Sequence, residues 1–472
     1  MLNLNPQKTE KFLFGFLLFT IAWIALPLGS NRPWAWTVMQ MSCFSLGLVI
    51  AAAKPWQLVK AYQKHKLLLW LWLIYICCQL INIIPLPVSV IESIRPERLA
   101  FNAVSTAAIS ADDTQKWLSL SFDVGQSKVV LLKSIAYLFL FFTVLIVVNS
   151  THRLKIVLAV ICGTGIFQAI YGTLEVLSGL ETSLIFHKEV TGVATGTFVY
   201  KNHFANYLVL TLSAAVGYLV ASFPTARSST NRDKLRTLVK FWLSNKLLFR
   251  IGVILMVIAL VMSRSRMGNT AFFISLTVTA TLGLLHFKPR RKSYIAFFMS
   301  MLVIDILILS SLFGLEKVQQ RIENTSFSQE SRDEVINNTL PLISENAFFG
   351  AGGGTFYTLF PQTQPESIQH FYDHAHNEYI QFLLEFGVLG SLAIAIVTFM
   401  CLTCSINAMK TRRHPIARGT AFAALMAIIG MLIHSTVDFP LQAPANTFIF
   451  TIFLAIGIQS KNVKVHPTPT RG

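Results

Sequence analysis

His374 and His376 stand beside Asp373 and Asn377 in the run DHAHNEYIQFLLEFGVLG, which leads directly into an apolar stretch. Imidazoles gain or lose a proton near neutral pH, so this group can do proton chemistry at a membrane face. Three readings are open. As a general base, His376 would take a proton from an attacking hydroxyl. As a metal site, Asp373, His374 and His376 with His370 offer ligand chemistry, although their spacing matches no compact signature. As a structural device, Asn377 and the histidines would cap a helix and satisfy loop carbonyls. Glu378, Gln381 and Glu385 continue a polar stripe along an amphipathic helical entry, and Gly387 and Gly390 end that entry and open the apolar run.

Other polar groups lie at comparable boundaries. VMSRSRMGN places Arg264 and Arg266 in a short turn between two apolar segments, near the membrane surface. Interfacial arginines are costly and often functional, and the guanidinium fork suits phosphate oxygens; snorkelling in a tight turn is the structural alternative. HSTVDFPLQAPAN holds Asp438 between His434 and Gln442, where it would orient a base, bind sugar hydroxyls, or simply end a helix. TGTFVYKNHFANYL offers Lys201, Asn202, His203 and Asn206 for glycan contacts, against interfacial anchoring by Tyr200 and Tyr207.

The loop over 315–386 is the densest polar region, with eight acids through Asp373 against Lys317, Arg321 and Arg332; Arg321 joins the substrate-binding candidates. Within it, SRDEVINNTLPLISENAFFG predicts a helix capped by Ser331, with Asp333 and Glu334 in its first turn and Val335, Ile336, Leu340 and Ile343 on its apolar face. Pro341 would kink or end that helix. GAGGGTF lacks the GK[ST] ending of a phosphate loop and reads as a tight, backbone-exposing turn.

The elements that carry these groups follow from composition. The chain has 472 residues, 53% hydrophobic and 13% charged, with positive mean hydropathy, which excludes an ordinary soluble domain. Twelve segments approach the roughly 20 apolar residues of a bilayer-spanning helix. They run over 12–29, 33–53, 67–85, 129–149, 156–178, 203–223, 247–263, 267–287, 294–314, 387–408, 419–439 and 444–459. The expected fold is an all-α polytopic membrane protein of about twelve transmembrane helices. Both termini would be cytoplasmic, because most of the 39 basic residues then fall in cytoplasmic segments that hold only Glu10 and Asp233 among the 22 acids. The net charge of +17 is therefore a sign of topology, and no nucleic-acid partner is expected. The first apolar segment, followed by LPLGSNRPW without a small-residue cleavage site, reads as an uncleaved span.

Three outer connections, 86–128, 179–202 and 315–386, are long enough to hold structure. The first, a lid or spacer, would carry a short helix and a strand-like SLSFDV. The cytoplasmic loops carry no nucleotide motif. All six cysteines lie in predicted spans, which implies packing rather than a disulfide framework, and the CxxC of Cys401 and Cys404 lacks a second ligand pair.

These motifs, in this order, resemble the superfamily of O-antigen ligases and polymerases. His376, Asn377, Gly387 and Gly390 meet its pattern of His, a polar residue, nine residues, Gly, two residues and Gly. VMSRSRMGN is similar to its Ser-x-Ser-Arg element, with Arg266 at the matching arginine and Arg264 at the variable position. SRDEVINNTLPLISENAFFGAGGGTF looks like the segment that runs from an arginine to a Gly-x-Gly turn, which gives Arg332 the second arginine role. Asn202 and Asn206 fall on polar family positions. The departures are Val335 and Ile336, where tryptophan is common, and the extra His374 beside His376.

The resemblance covers roughly 195–445. It implies helices of an N-terminal unit at 1–194, a catalytic region at 195–445 that includes a large, partly helical periplasmic loop, and a last helix with a basic tail at 446–472. It also implies a glycosyltransferase of the bacterial inner membrane that takes glycan from undecaprenyl-diphosphate without a metal or other cofactor. Arg266 and Arg332 would hold the diphosphate, and His376 would activate the acceptor for inverting attack. Lys201, Asn202, Arg264, Arg321, His374, Asn377 and Asp438 are the further substrate-binding candidates. A growing glycan, lipid A core or protein would be the acceptor. A transporter of lipid-linked oligosaccharide is the competing class, although Asp305 and Lys133 are almost the only charges well inside the spans.

Overall fold

A computed structural model describes residues 6–108, 116–222, 245–286, 294–296, 298–300, 303 and 326–463. Its helices are α1 (Pro6–Trp23), α2 (Pro33–Ala53), α3 (Pro55–Ile83), α4 (Val88–Ile94), α5 (Pro96–Ala108), α6 (Val124–Val147), α7 (Thr151–Leu177), α8 (Lys201–Ala221), α9 (Asn245–Met262), α10 (Arg266–His286), α11 (Ser326–Glu345), α12 (Phe356–Leu359), α13 (Glu378–Thr411), α14 (Pro415–His434) and α15 (Pro444–Asn462). Proline opens α2, α3, α14 and α15, where its missing N–H costs nothing. Asp123 and Ser150 cap α6 and α7 by accepting from Gln126 N and Arg153 N.

Eight helices (α2, α3, α6, α7, α8, α10, α13 and α14) are long and apolar enough to cross a membrane, so this is a multi-pass membrane protein. Three of the other predicted spans fall on α1, on the shorter apolar helix Leu247–Met262 and on α15, while most of 294–314 lies outside the described residues. Helix α8 is buried along nearly its whole length and packs on α7, α9, α10 and α14. Gly217 and Gly419 let α8 and α14 touch: a Cβ on Gly217 would stand 2.5 Å from Gly419 O. At the end of the bundle away from the histidines, Glu10 of α1 accepts from Lys54 Nζ at 2.9 Å and from Arg153 Nη1 at 2.5 Å, joining three helix boundaries.

The loop elements differ from expectation in three ways. Helix α11 starts at Ser326 instead of Ser331 and passes through Pro341 to Glu345. Pro341 lies on the exposed side of the helix. The buried stripe of α11 is Val335, Thr339 and Leu342, at i, i+4 and i+7, and Leu340 points out; helical geometry prevailed over residue type. The strand covers Trp117–Ser119, not SLSFDV, and pairs antiparallel with Pro85–Pro87. Beyond it, Ser121 N donates to Asn82 O at the end of α3, and Phe122 N donates to Ala351 O in the glycine-rich turn. All six cysteines are free and helical.

Candidate active site

The entry to α13 is organised by its cap and its break. Asn377 Oδ1 accepts from Tyr379 N and Ile380 N, fixing the helix start two residues after His376, whose backbone is left-handed (φ 49°). At Gly387 (φ 65°, ψ −178°) the helix path is interrupted. Val388 N turns away from the helix to donate to Ala347 O, and the freed Leu384 O accepts from Ala351 N. Gly352 N donates to Glu385 O, so the glycine-rich turn is stitched to the break in α13. Arg95 Nη2 holds the same turn through Gly350 O while its Nη1 holds Leu120 O, which ties in the first outer connection.

The turn after α14 closes on this entry. Glu378 N donates to Ser435 O, and the buried Glu378 carboxylate accepts from Leu441 N and Gln442 Nε2 at 3.2 and 3.1 Å. The clasp brings Asp438 under His376, with Oδ1 3.9 Å from His376 Nδ1 and accepting from Phe439 N, and Oδ2 3.8 Å from His434 Nε2. Phe439 supplies an aromatic floor. The rings of His374, His376, His203 and Tyr200 lie 4.3, 4.9, 5.0 and 5.4 Å from its own, and His203 Nε2 meets Phe439 O at 3.2 Å. Arg332 of α11 reaches the same turn by donating to Val437 O at 3.4 Å.

The electrostatics favour a neutral imidazole pair over a carboxylate. Burial holds His376 below its ordinary value; the Asp438 and Asp373 carboxylates oppose this and the Arg332 guanidinium reinforces it. Burial lowers His374 to about 4, against the raising effect of Asp373. Burial pushes the Asp438 carboxyl up, yet the imidazoles of His434 and His203 and the Phe439 N–H bring it below the usual carboxylate value.

The structure thus gathers His374, His376, Asn377, Asp438 and Arg332 into one site. Asn202 is one ring away, donating to Tyr200 OH at 2.8 Å, and Lys201 is the first residue of α8. Arg264 and Arg266 are exposed in the turn between α9 and α10, where Ser265 Oγ accepts from Gly268 N. That turn sits at the level of the first turns of α8, since a Cβ on Gly268 would stand 2.6 Å from that of Ala205. Arg321 lies outside the described residues. Among the described residues, no group of three or more His, Cys, Asp or Glu side chains is arranged to hold a metal ion. Sequence reasoning missed the floor residue Phe439; its signal was an aromatic side chain embedded between Asp438 and Pro440 at a helix end.

Residues 251–395 match the model of a family described as O-antigen ligase. The match takes in Arg264, Arg266, Arg332, His374, His376 and Asn377, and is narrower than the 195–445 expected from the motifs. No curated protein matches the chain.

Proposed function

We propose, from the premise that residues 251–395 are an O-antigen ligase domain within a multi-pass membrane protein, that this chain transfers glycan from undecaprenyl-diphosphate to an acceptor hydroxyl. Transfer takes place at the periplasmic face of the inner membrane. The observation that carries this reading is Asp438 Oδ1 facing His376 Nδ1. A carboxylate at that nitrogen favours the Nδ1–H tautomer and leaves Nε2 with a lone pair for the acceptor proton.

In the step proposed, His376 Nε2 takes the proton as the acceptor oxygen bonds to the anomeric carbon. The bond from that carbon to the diphosphate oxygen breaks, its electron pair leaves with the diphosphate, and the configuration inverts. Asp438 stabilises the imidazolium that forms. Arg332 and Arg266 are assigned to the charge growing on the leaving diphosphate, where fixed guanidinium donors act best. Lys201, Asn202 and Arg264 are assigned to the approach of the donor.

The test is a transfer assay with purified protein and lipid-linked repeat units, offered alone, with core lipid, or with an acceptor protein. Chain growth without an added acceptor indicates a polymerase, and product only with core lipid or protein indicates ligation or protein glycosylation. Movement of the lipid with no new glycosidic bond would overturn the reading in favour of transport.

A further inference from the structure

His374 is the surplus histidine of the site, and its surroundings give it a defined protonation pattern. Gln381, one turn into α13, has all three of its amide contacts assigned. Its Oε1 accepts from Ala375 N at 3.3 Å, and its Nε2 donates to Glu385 Oε1 at 2.9 Å and meets His374 Nδ1 at 3.0 Å. Turning the amide over would set N–H against N–H at Ala375, whose backbone N–H can only donate, so its orientation is fixed by a partner other than the histidine. An amide N–H can only donate. His374 Nδ1 therefore accepts, and the ring carries its proton on Nε2.

The partners that impose this are themselves immobilised. Gln381 and Glu385 are 1% exposed, and Glu385 is held at the break of α13, where its backbone carbonyl accepts from Gly352 N. The other charged or titratable groups facing His374 are Asp373, His376, Asp438 and His203, while its ring lies 4.3 Å from Phe439. Among the described residues, Nε2 has no hydrogen-bond partner, and it is not sealed from solvent. The neutral state is the one burial favours, since a cation here would lose its hydration.

His376 has the opposite arrangement. Its Nδ1 faces a carboxylate, which calls for a proton on Nδ1 and a bare Nε2. The two imidazoles, separated only by Ala375 and both packed on Phe439, thus present complementary edges: one accepts a proton and the other donates a hydrogen bond.

We propose that Gln381 and Glu385 are positioning residues that fix His374 in its Nε2–H form, and that His374 donates this hydrogen bond to an oxygen of the substrate's diphosphate. His376 alone then serves as the base. The assignment of the diphosphate rests on the glycan-transfer reading above, whereas the tautomer does not.

The experiment uses the full chain in lipid nanodiscs, labelled with nitrogen-15 histidine, with the His374 signals assigned by their loss in His374→Gln. The expected spectrum at neutral pH shows a protonated Nε2 and a bare Nδ1. In Gln381→Glu the new carboxylate accepts from Nδ1–H and the pattern reverses, whereas Glu385→Gln, which keeps an oxygen facing Gln381, leaves it unchanged. An Nδ1–H form or an imidazolium in the unaltered protein overturns the proposal, whether or not any variant folds.

Transfer kinetics test the second half. His374→Gln, whose amide N–H can stand in for Nε2–H, should keep kcat within about tenfold, while His374→Ala and Gln381→Glu should each lose about 10²-fold in kcat with a smaller change in KM. An unchanged kcat in His374→Ala overturns the donor role while the transferase reading stands. If the unaltered protein transfers no glycan, that reading fails and takes the diphosphate assignment with it, and the tautomer is judged by the spectrum.

Discussion

Asp438 Oδ1 lies 3.9 Å from His376 Nδ1, across the junction between the start of α13 and the turn that follows α14. The gap is too long for a hydrogen bond in the resting state and short enough for the carboxylate to stabilise a charged ring. Catalytic hydrogen bonds commonly tighten when substrate binds. Asp438→Asn preserves shape and removes the charge, so kcat should fall by roughly 10²-fold or more, and His376→Ala should fall by about 10² to 10⁴. Both variants should remain in the membrane at normal level. Measured transfer rates close to those of the unaltered protein in both would count against His376 as the base.

The pH profile offers a test with opposed signs. Burial holds the His376 imidazole below its ordinary value of 6.5, so the acid limb of kcat/KM should lie below that pH. Asp438 raises this group, and Asp438→Asn should move the limb further down. Arg332 lowers it, and Arg332→Gln should move the limb up. Equal shifts of the same sign in the two variants would show that neither charge acts on the titrating group.

A second pH dependence concerns stability. His374 is held at about 4 in the folded protein against 6.5 ordinarily, so between those values the unfolded chain binds a proton that the native chain does not. Stability should therefore be lost progressively as pH falls from about 6.5 to about 4, and this contribution should change no further below that. Thermal midpoints across this range should fall less steeply in His374→Gln, which cannot titrate. A slope identical to that of the unaltered protein would exclude His374 as the source.

Much of this arrangement could be read from the sequence, and the rest depended on distances along the chain. The apolar runs at 33–53 and 444–459 and the capping residue Asn377 are local signals, and helices start where they stand, whereas α3 and α14 start earlier than the runs from 67 and 419, at Pro55 and Pro415. Gly387 was legible as a break because its position interrupts the polar stripe ending at Glu385. The choice between a base-orienting and a merely helix-ending Asp438 was not legible, because it turns on how α13 and α14 meet. Ser331 and Pro341 misled for a similar reason. Both are good local boundary signals, but α11 is held by the packing of Val335, Thr339 and Leu342, which outlasts them.

The break at Gly387 makes a prediction about the scaffold. Its φ of 65° disfavours any side chain, and a Cβ there would stand 2.6 Å from Gly350 N, between the two segments that exchange hydrogen bonds. Gly387→Ala should destabilise the protein by at least about 1–3 kcal/mol, seen as a lower thermal midpoint. Gly163, whose Cβ would meet nothing within 4 Å among the described residues, is the control, and Gly163→Ala should leave the midpoint unchanged or raised. Similar midpoints for the two alanine variants would show that the break is not under constraint.

Glu378 should act on the site without touching substrate. Its carboxylate accepts from Leu441 N and Gln442 Nε2, and these two bonds hold the turn that carries Asp438 and Phe439 against the histidines. Glu378→Gln keeps an oxygen for Leu441 N, and Gln442 can turn its own amide to face the new one, so the clasp survives. Glu378→Leu leaves both half-buried groups unpaired, a loss of about 0.5–1.5 kcal/mol for each. Asp438 would then drift from His376, and kcat should fall about tenfold or more with a smaller effect on donor KM, because orientation is needed only in the transition state. Transfer assays on the two variants separate the roles: parallel losses in Glu378→Gln and Glu378→Leu would mean the charge itself is used in the reaction, whereas activity kept in the first and lost in the second identifies a clasp.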